Sequence, residues 1–305
     1  MAERAGGGGY ATGGRVGSGE RTLPPGFVTG VGRVVAASDV GPRLRRVVVQ
    51  APEFETLDCG DGPAPGFRVL IPSSGHPVVM PTASLEAGLT YPDGVEPSTP
   101  RTITVRRHDP VAATIEIDVA MTHDGVLVDW ASSAAVGGEV GFAGPRRFPP
   151  LPDGPLVLLG DESALPAIAA IIETSSRDRI PLFHVGVEVD TSADEIELGV
   201  PVAWYRRDGQ TPGAALVAGV AALALPAGAV VWVAGEARMA RGVRRLLEQT
   251  SPPPQHIRAS GYWRANTASD ELDEKILELT RELVASGDSM ELLDEFALAF
   301  EERED

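Results

Sequence analysis

The sequence predicts an antiparallel six-stranded β-barrel, then a three-layer α/β domain, then a C-terminal helical extension. Three observations predict it. Before residue 150, short β-prone runs are separated by Pro, Gly and Asp clusters, the pattern of antiparallel strands joined by turns. From Leu156 onward, apolar strand-like runs alternate with amphipathic helical patterns, which argues a parallel sheet covered on both faces. After Arg264 the pattern changes again, to two acidic amphipathic helices. At 305 residues the chain can bury two separate cores.

Residues 1–22 are rich in glycine and lack the apolar core of a secretory signal, so they are read as a flexible tail. The barrel is expected over 23–150, with strands at 28–37, 43–50, 67–71, 101–107, 114–121 and 139–142. In the fourth of these, alternation should place Thr102, Thr104 and Arg106 on one face and Arg101, Ile103 and Val105 on the other. The proline-rich connection at 72–100 is long for a compact domain and is expected at the barrel mouth.

The α/β domain is expected over 151–265. Its first strand is the continuous apolar run from Leu156 to Gly160, as suits a buried parallel strand. Ala164, Leu165, Ile168, Ile171 and Ile172 then form one apolar helical face. Further strands are predicted at 183–189, 202–205, 229–234 and 256–260, and helices at 213–223 and 237–248. In the extension, 266–305, Leu272, Ile276, Leu279 and Leu283 share one face, and Leu292, Leu293, Phe296 and Phe300 another, joined at Gly287. These helices either pack back on the α/β domain or form a homodimer contact.

A formal net charge of −17 repels nucleic-acid phosphates and anionic membrane surfaces, so neither is expected as a partner. No apolar run is long enough to cross a bilayer, and a cytoplasmic location is expected. Cys59 is the only cysteine, which excludes an intrachain disulfide and a Cys-ligated cluster within the chain. His76, His108, His123, His184 and His256 have no metal-ligand spacing. Lys275 is the only lysine, so positive charge rests on Arg, whose planar fork suits phosphate, carboxylate and catecholate oxygens. It occurs in pairs at Arg106-Arg107, Arg146-Arg147 and Arg206-Arg207.

Several segments carry a family resemblance. In order they are the 101–107 run, Ile117-Asp118-Val119, Gly125, Trp130-Ala131, Gly144-Pro145-Arg146, Gly160-Asp161-Glu162-Ser163-Ala164-Leu165-Pro166, Trp232-Val233-Ala234-Gly235-Glu236 and Gly261-Tyr262-Trp263-Arg264. Over roughly 26–264 they resemble the siderophore-interacting protein family, FAD-binding ferric-siderophore reductases of the ferredoxin-reductase-like superfamily. The resemblance implies a flavin-type barrel, a nucleotide-binding-like α/β domain, FAD as cofactor and NAD(P)H as electron donor. It gives Arg101 to the FAD phosphate and Thr104 to the isoalloxazine edge. It places the Asp161-Glu162-Ser163 turn at the nicotinamide and Tyr262 and Trp263 against the flavin. Arg146, Arg206, Arg207 and Arg264 become candidate substrate contacts, with Arg206 and Arg207 toward a 2′-phosphate.

The chain departs from the family at the flavin contacts. The family's Tyr falls at Ile103 and its His at Thr122. Its Gly-Pro-Ala-Ser turn, which meets the pyrophosphate at a helix start, is replaced by Gly125-Val126-Leu127-Val128, with Trp130 kept and Asp129 adding negative charge. The implied function is electron transfer from NAD(P)H through FAD to a ferric siderophore, with flavin-borne chemistry and no catalytic side chain. The departures keep two other readings open: a cleft turned over to an apolar organic substrate, as in a biosynthetic cyclase or isomerase, and a non-catalytic siderophore-binding protein.

Overall fold

The computed structural model describes residues 26–84, 88–122, 124–178 and 181–265. The tail at 1–22, His123, and the helices and dimer contact expected at 266–305 lie outside them. Among the described residues no helix is long and apolar enough to cross a membrane.

The barrel strands are β1 (Val28–Gly41), β2 (Leu44–Gln50), β3 (Gly66–Ile71), β6 (Thr99–Thr104), β7 (Arg107–Asp109), β8 (Thr114–Ala120) and β9 (Glu139–Arg146). A small hairpin, β4 (Thr82–Ser84) and β5 (Gly88–Thr90), lies within the long connection. The sheet runs β6-β3-β9-β1-β2-β8-β7 with every neighbour antiparallel. Its two end strands are consecutive in the chain and separated only by Val105 and Arg106, so the sheet curls until its edges meet. The amide of Val105 donates to the carbonyl of Pro65 at 3.1 Å, and that of Arg106 to Glu116 at 2.9 Å.

Here the strand expected over 101–107 divides in two, giving seven strands in place of six. Val105 and Arg106 are both buried, at 4% and 9% exposure. Successive side chains of a straight strand point to opposite faces, so burying both requires the chain to turn a corner. The core inside is aromatic at its centre: Phe54, Phe67 and Phe142 meet at centroid separations of 4.6, 5.9 and 6.0 Å. Outside it, Val78 and Met80 of the 72–100 connection lie over Gly141, where an added Cβ would come 2.7 Å from the Met80 sulfur.

A helix, α1 (Val126–Ser133), joins β8 to β9. The second sheet comprises β10 (Leu156–Asp161), β11 (Leu182–Val189), β12 (Ala203–Arg206), β13 (Val230–Glu236) and β14 (His256–Trp263). Its order is β12-β11-β10-β13-β14, all parallel. Three helices cover it: α2 (Leu165–Asp178), α3 (Ala214–Ala221) and α4 (Ala237–Glu248). Alternation along β10 makes the three layers. Leu156 and Leu158 join the α2 core, and Val157 and Leu159 join the core of α3 and α4.

The two halves are joined by charge. Arg46 holds Asp118 at 2.6 and 2.8 Å and Glu116 at 2.9 Å. From α2, Glu173 accepts from Arg106 at 2.6 and 3.0 Å and from Arg107 at 2.7 and 3.1 Å. Contacts of 3.7 Å from Arg106 to Asp118 and from Arg107 to Glu116 close a ring of six alternating charges. Hydrogen bonds from Arg106 and then Arg107 hold the Glu173 carboxyl well below the usual range.

Replacing Glu173 by Gln should therefore lower stability at pH 7 by about 1–3 kcal/mol, a range discounted for the carboxylate's partial exposure. Because the folded pKa is depressed, the contribution is complete above the unfolded pKa of about 4.3 and fades below it. Thermal unfolding of parent and variant should differ by a constant amount near neutrality and converge below about pH 4. An undiminished difference in acid would place the effect elsewhere.

Candidate functional site

The order β12-β11-β10-β13-β14 reverses direction between β10 and β13, and in open parallel sheets ligands bind outside the carboxyl ends at such a switch point. Asp161, at the end of β10, is 1% exposed. Its Oδ1 accepts from the Ser163 amide at 2.9 Å and the Ser163 hydroxyl at 2.5 Å. Its Oδ2 accepts from the Glu236 amide at 2.7 Å and the Trp263 indole N–H at 2.8 Å. One carboxylate thus ties together the ends of β10, β13 and β14. Gly235 allows the approach: its φ is +140°, and an added Cβ would come 2.5 Å from Asp161 Cγ.

The other strands end in the same way. Glu188 on β11 is buried and accepts from the amides of Gly213 at 2.6 Å and Leu216 at 2.9 Å, capping α3. Glu236 on β13 accepts from Met239 at 2.8 Å and Ala265 at 3.3 Å, capping α4. Glu162 forms a two-pronged pair with Arg207, at 3.0 Å for one prong and closer for the other. Burial pushes the carboxyls of Glu162 and Glu188 up; Arg207 pulls Glu162 back, and the Gly213 and Leu216 amides, then Arg207, pull Glu188 back. Glu188 stands in no sequence motif, and Glu236 closes one without an assigned role. The available signal was an acid closing an otherwise apolar strand, which has few stable environments apart from a cap or an ion pair.

On the barrel side, β8 runs into Thr122 and then Gly125, whose φ is +148° and beside which an added Cβ would meet nothing within 4 Å. Gly125 is the N-cap of α1 and supplies no side-chain hydrogen bond, so among the described residues no side chain caps the first-turn N–H groups of Val126, Leu127 and Val128. The apolar side chains of these three residues pack against the barrel core, as does Trp130. Among the described residues, the buried Thr122 Oγ1 has no hydrogen-bond partner. Arg43 joins the two sides: it donates to the Thr122 carbonyl at 3.5 Å and lies 3.8 and 3.9 Å from Asp190 and Asp194 beyond β11.

The remaining candidates are distributed as follows. Ile103 is buried in the barrel core, while Arg101 and Thr104 are half-buried on β6. Thr104, Gly66 and Arg146 stand in one row across β6, β3 and β9, so Thr104 and Arg146 flank a position without a side chain. The Arg146 guanidinium lies 5.2 Å from the Phe148 ring centre. Trp263 is held by Asp161, whereas Tyr262 is exposed and edge-on to Trp232 at 6.5 Å. Arg264 follows, half-buried. Arg206 is paired with Glu195 at 2.8 Å, and Arg207 is buried among acids. The structure brings Asp161, Ser163 and Trp263 together, and sets Ile103 and Arg207 into packed surroundings.

An antiparallel barrel followed by a parallel sheet of this order is a ferredoxin-reductase-like fold. Residues 33–148 match the siderophore-interacting FAD-binding domain, and residues 155–266 match the family described as siderophore-interacting protein. The chain belongs to the siderophore-interacting protein family. It is 29% identical over 206 residues to the NADPH-dependent ferric-chelate reductase of Escherichia coli (strain K12), covering 65% of this chain and 78% of that one. It is 30% identical over 207 residues to the ferric acinetobactin reductase of Acinetobacter baumannii, covering 65% and 72%. Among solved structures, the siderophore-interacting protein from Aeromonas hydrophila superposes with a TM-score of 0.67 at 25% identity, over 84% of this chain and 99% of that one.

The barrel residues fit the diphosphate of FAD. Uncapped helix N–H groups attract an anion, and the buried Thr122 hydroxyl has a hydrogen bond left to give. Thr122→Val should raise the stability of the flavin-free protein by about 1 kcal/mol, since it removes an unsatisfied buried hydroxyl. The same change should weaken FAD binding about five- to ten-fold. Thermal unfolding and a flavin fluorescence titration read the two effects, and unchanged affinity would remove Thr122 from the site. On the sheet side, Asp161→Asn sets an amide N–H₂ against donors and should cost about 1–3 kcal/mol. The freed Trp263 should also shift its fluorescence to longer wavelength, and an unshifted spectrum would count against the indole contact.

Proposed function

We propose that the protein is a flavin-dependent reductase that passes electrons from NAD(P)H through FAD to a ferric siderophore. Membership of the family supports this reading, as do the relatives named as ferric-chelate and ferric acinetobactin reductases. The observation that carries it is the junction at Arg43, whose guanidinium touches Thr122 of the barrel and Asp190 and Asp194 of the α/β sheet. Through it the anion-binding start of α1 and the carboxyl edge of the parallel sheet become neighbours. We assign the flavin half to 23–150 and the nicotinamide half to 151–265.

In this scheme, FAD when bound supplies the conversion of a two-electron hydride donor into single-electron transfers to Fe(III). The α1 amides, Thr122 and Arg101 hold the diphosphate, and Thr104 meets the ring edge. Trp263 provides an apolar plane held in place by Asp161. Arg146 and Arg264 attract the anionic ferric complex, which loosens once its metal is reduced, because Fe(II) is a weaker partner for hard oxygen ligands. No side chain needs to move a proton: both oxygens of Asp161 and both of Glu236 are occupied by N–H donors. Val126, Leu127 and Val128 spend part of their apolar surface against the barrel core, which favours the flavin reading over a cleft lined for an apolar organic substrate.

The protein should purify yellow or take up added FAD, and its flavin band should bleach anaerobically with reduced nicotinamide and return on addition of a ferric siderophore. Arg101→Ala should weaken FAD about ten-fold, as loss of a charge-assisted hydrogen bond implies. A colourless protein that binds no FAD would sink the proposal.

A further inference from the structure

We propose that this reductase takes NADH and discriminates against NADPH, because the place where a 2′-phosphate would lie is built as a net-negative ion cluster. The inference rests on the donor reading above and adds the choice of donor. In a parallel sheet of this order the adenosine ribose lies at the carboxyl end of the strand next to the central one, where an acid suits a free 2′-hydroxyl and an available Arg suits a 2′-phosphate. That strand is β11, and the residue beyond it is Asp190, whose side chain is 44% exposed.

Two arginines follow on the neighbouring strand, and their positions would suit a phosphate if they were available. Arg207 is 7% exposed, grips Glu162 with both prongs, and lies 3.6 and 3.7 Å from Glu188 and Asp190. Arg206 donates to Glu195 from two nitrogens. Arg43 faces the same acids from the barrel, 3.8 Å from Asp190 and 3.9 Å from Asp194. The cluster therefore sets five carboxylates, Glu162, Glu188, Asp190, Asp194 and Glu195, against three guanidinium groups. Exposed Asp208 adds a further negative charge, with its amide on the Asp190 carbonyl at 3.1 Å. A 2′-phosphate brings nearly two more. To be held, it would have to strip an Arg from a carboxylate and leave that acid unpaired, and the buried pair of Arg207 resists this most. The helix starts give no compensating grip, since Asp161, Glu188 and Glu236 already occupy them.

Calorimetric titration of the oxidised, flavin-loaded protein with NAD⁺ and NADP⁺ reads the discrimination without turnover, and anaerobic flavin bleaching by NADH and NADPH reads it in the reaction. NAD⁺ should bind at least about ten-fold tighter at low salt, with the gap narrowing as salt shortens the screening length. The double variant Asp190→Ser, Glu195→Gln releases Arg206 and should strengthen NADP⁺ at least about five-fold, whereas Arg206→Gln in the parent should leave NADP⁺ unchanged. Equal or tighter binding of NADP⁺, or equal bleaching by the two donors, overturns this proposal alone. If dithionite bleaches the flavin but neither nucleotide binds or bleaches it, the donor reading falls and takes the proposal with it.

Discussion

The ring of six charges at the domain junction is the constraint on which the rest of the site depends. It is assembled from β2, the β6–β7 corner, β8 and α2, so it fixes the barrel edge to the second domain. Its position follows from the corner itself. Burying Val105 in the barrel core turns the chain and leaves Arg106 and Arg107 side by side, both within reach of Glu173. A lone buried Arg106 would be costly, but each charge in the ring has neighbours of opposite sign on two sides, which offsets its desolvation. With that edge anchored, Thr122 and the start of α1 are presented to the carboxyl end of the parallel sheet.

That end is built from acids rather than from the glycine turns of a dinucleotide-binding fold. Asp161, Glu188 and Glu236 each occupy amides at a helix start that would otherwise attract an anion. These caps favour stability: Asp161 and Glu236 cap the helical turns that directly follow their own strands, and Glu188 holds the start of α3 across about 25 residues. They also limit what the crevice can hold. The uncapped helix start described at the candidate site belongs to α1 in the barrel, so affinity for phosphate is concentrated on the flavin side and negative charge on the donor side.

The departures from the family pattern look different in this setting. At Val126, Leu127 and Val128 the partly buried side chains pack against the barrel core, so an anion at this helix start would be met by backbone N–H groups. Backbone recognition tolerates a change of side chain. Loss of a serine hydroxyl in that turn removes one hydrogen bond but keeps the helix start. At the former histidine position, Thr122 retains a buried hydroxyl. Ile103 has gone further: it is a core residue of the barrel.

The two-part architecture, the strands of the parallel sheet to within a few residues, and the place of Asp161 between the first of them and its helix were legible in the sequence. These are local properties, written in apolar periodicity and in which residue closes each run. The connection of the 101–107 run was legible only in part, since alternation shows a strand but not a corner where two successive residues are buried. Partners were not legible. Arg106 meets Glu173 across 67 residues, Arg207 meets Glu162 across 45, and Trp263 meets Asp161 across 102. An arginine pair at a strand end looks the same in sequence whether it awaits a phosphate or is buried among carboxylates. The difference arises on folding, because strand order and register determine which acids surround a guanidinium, and desolvation then determines whether it can be released.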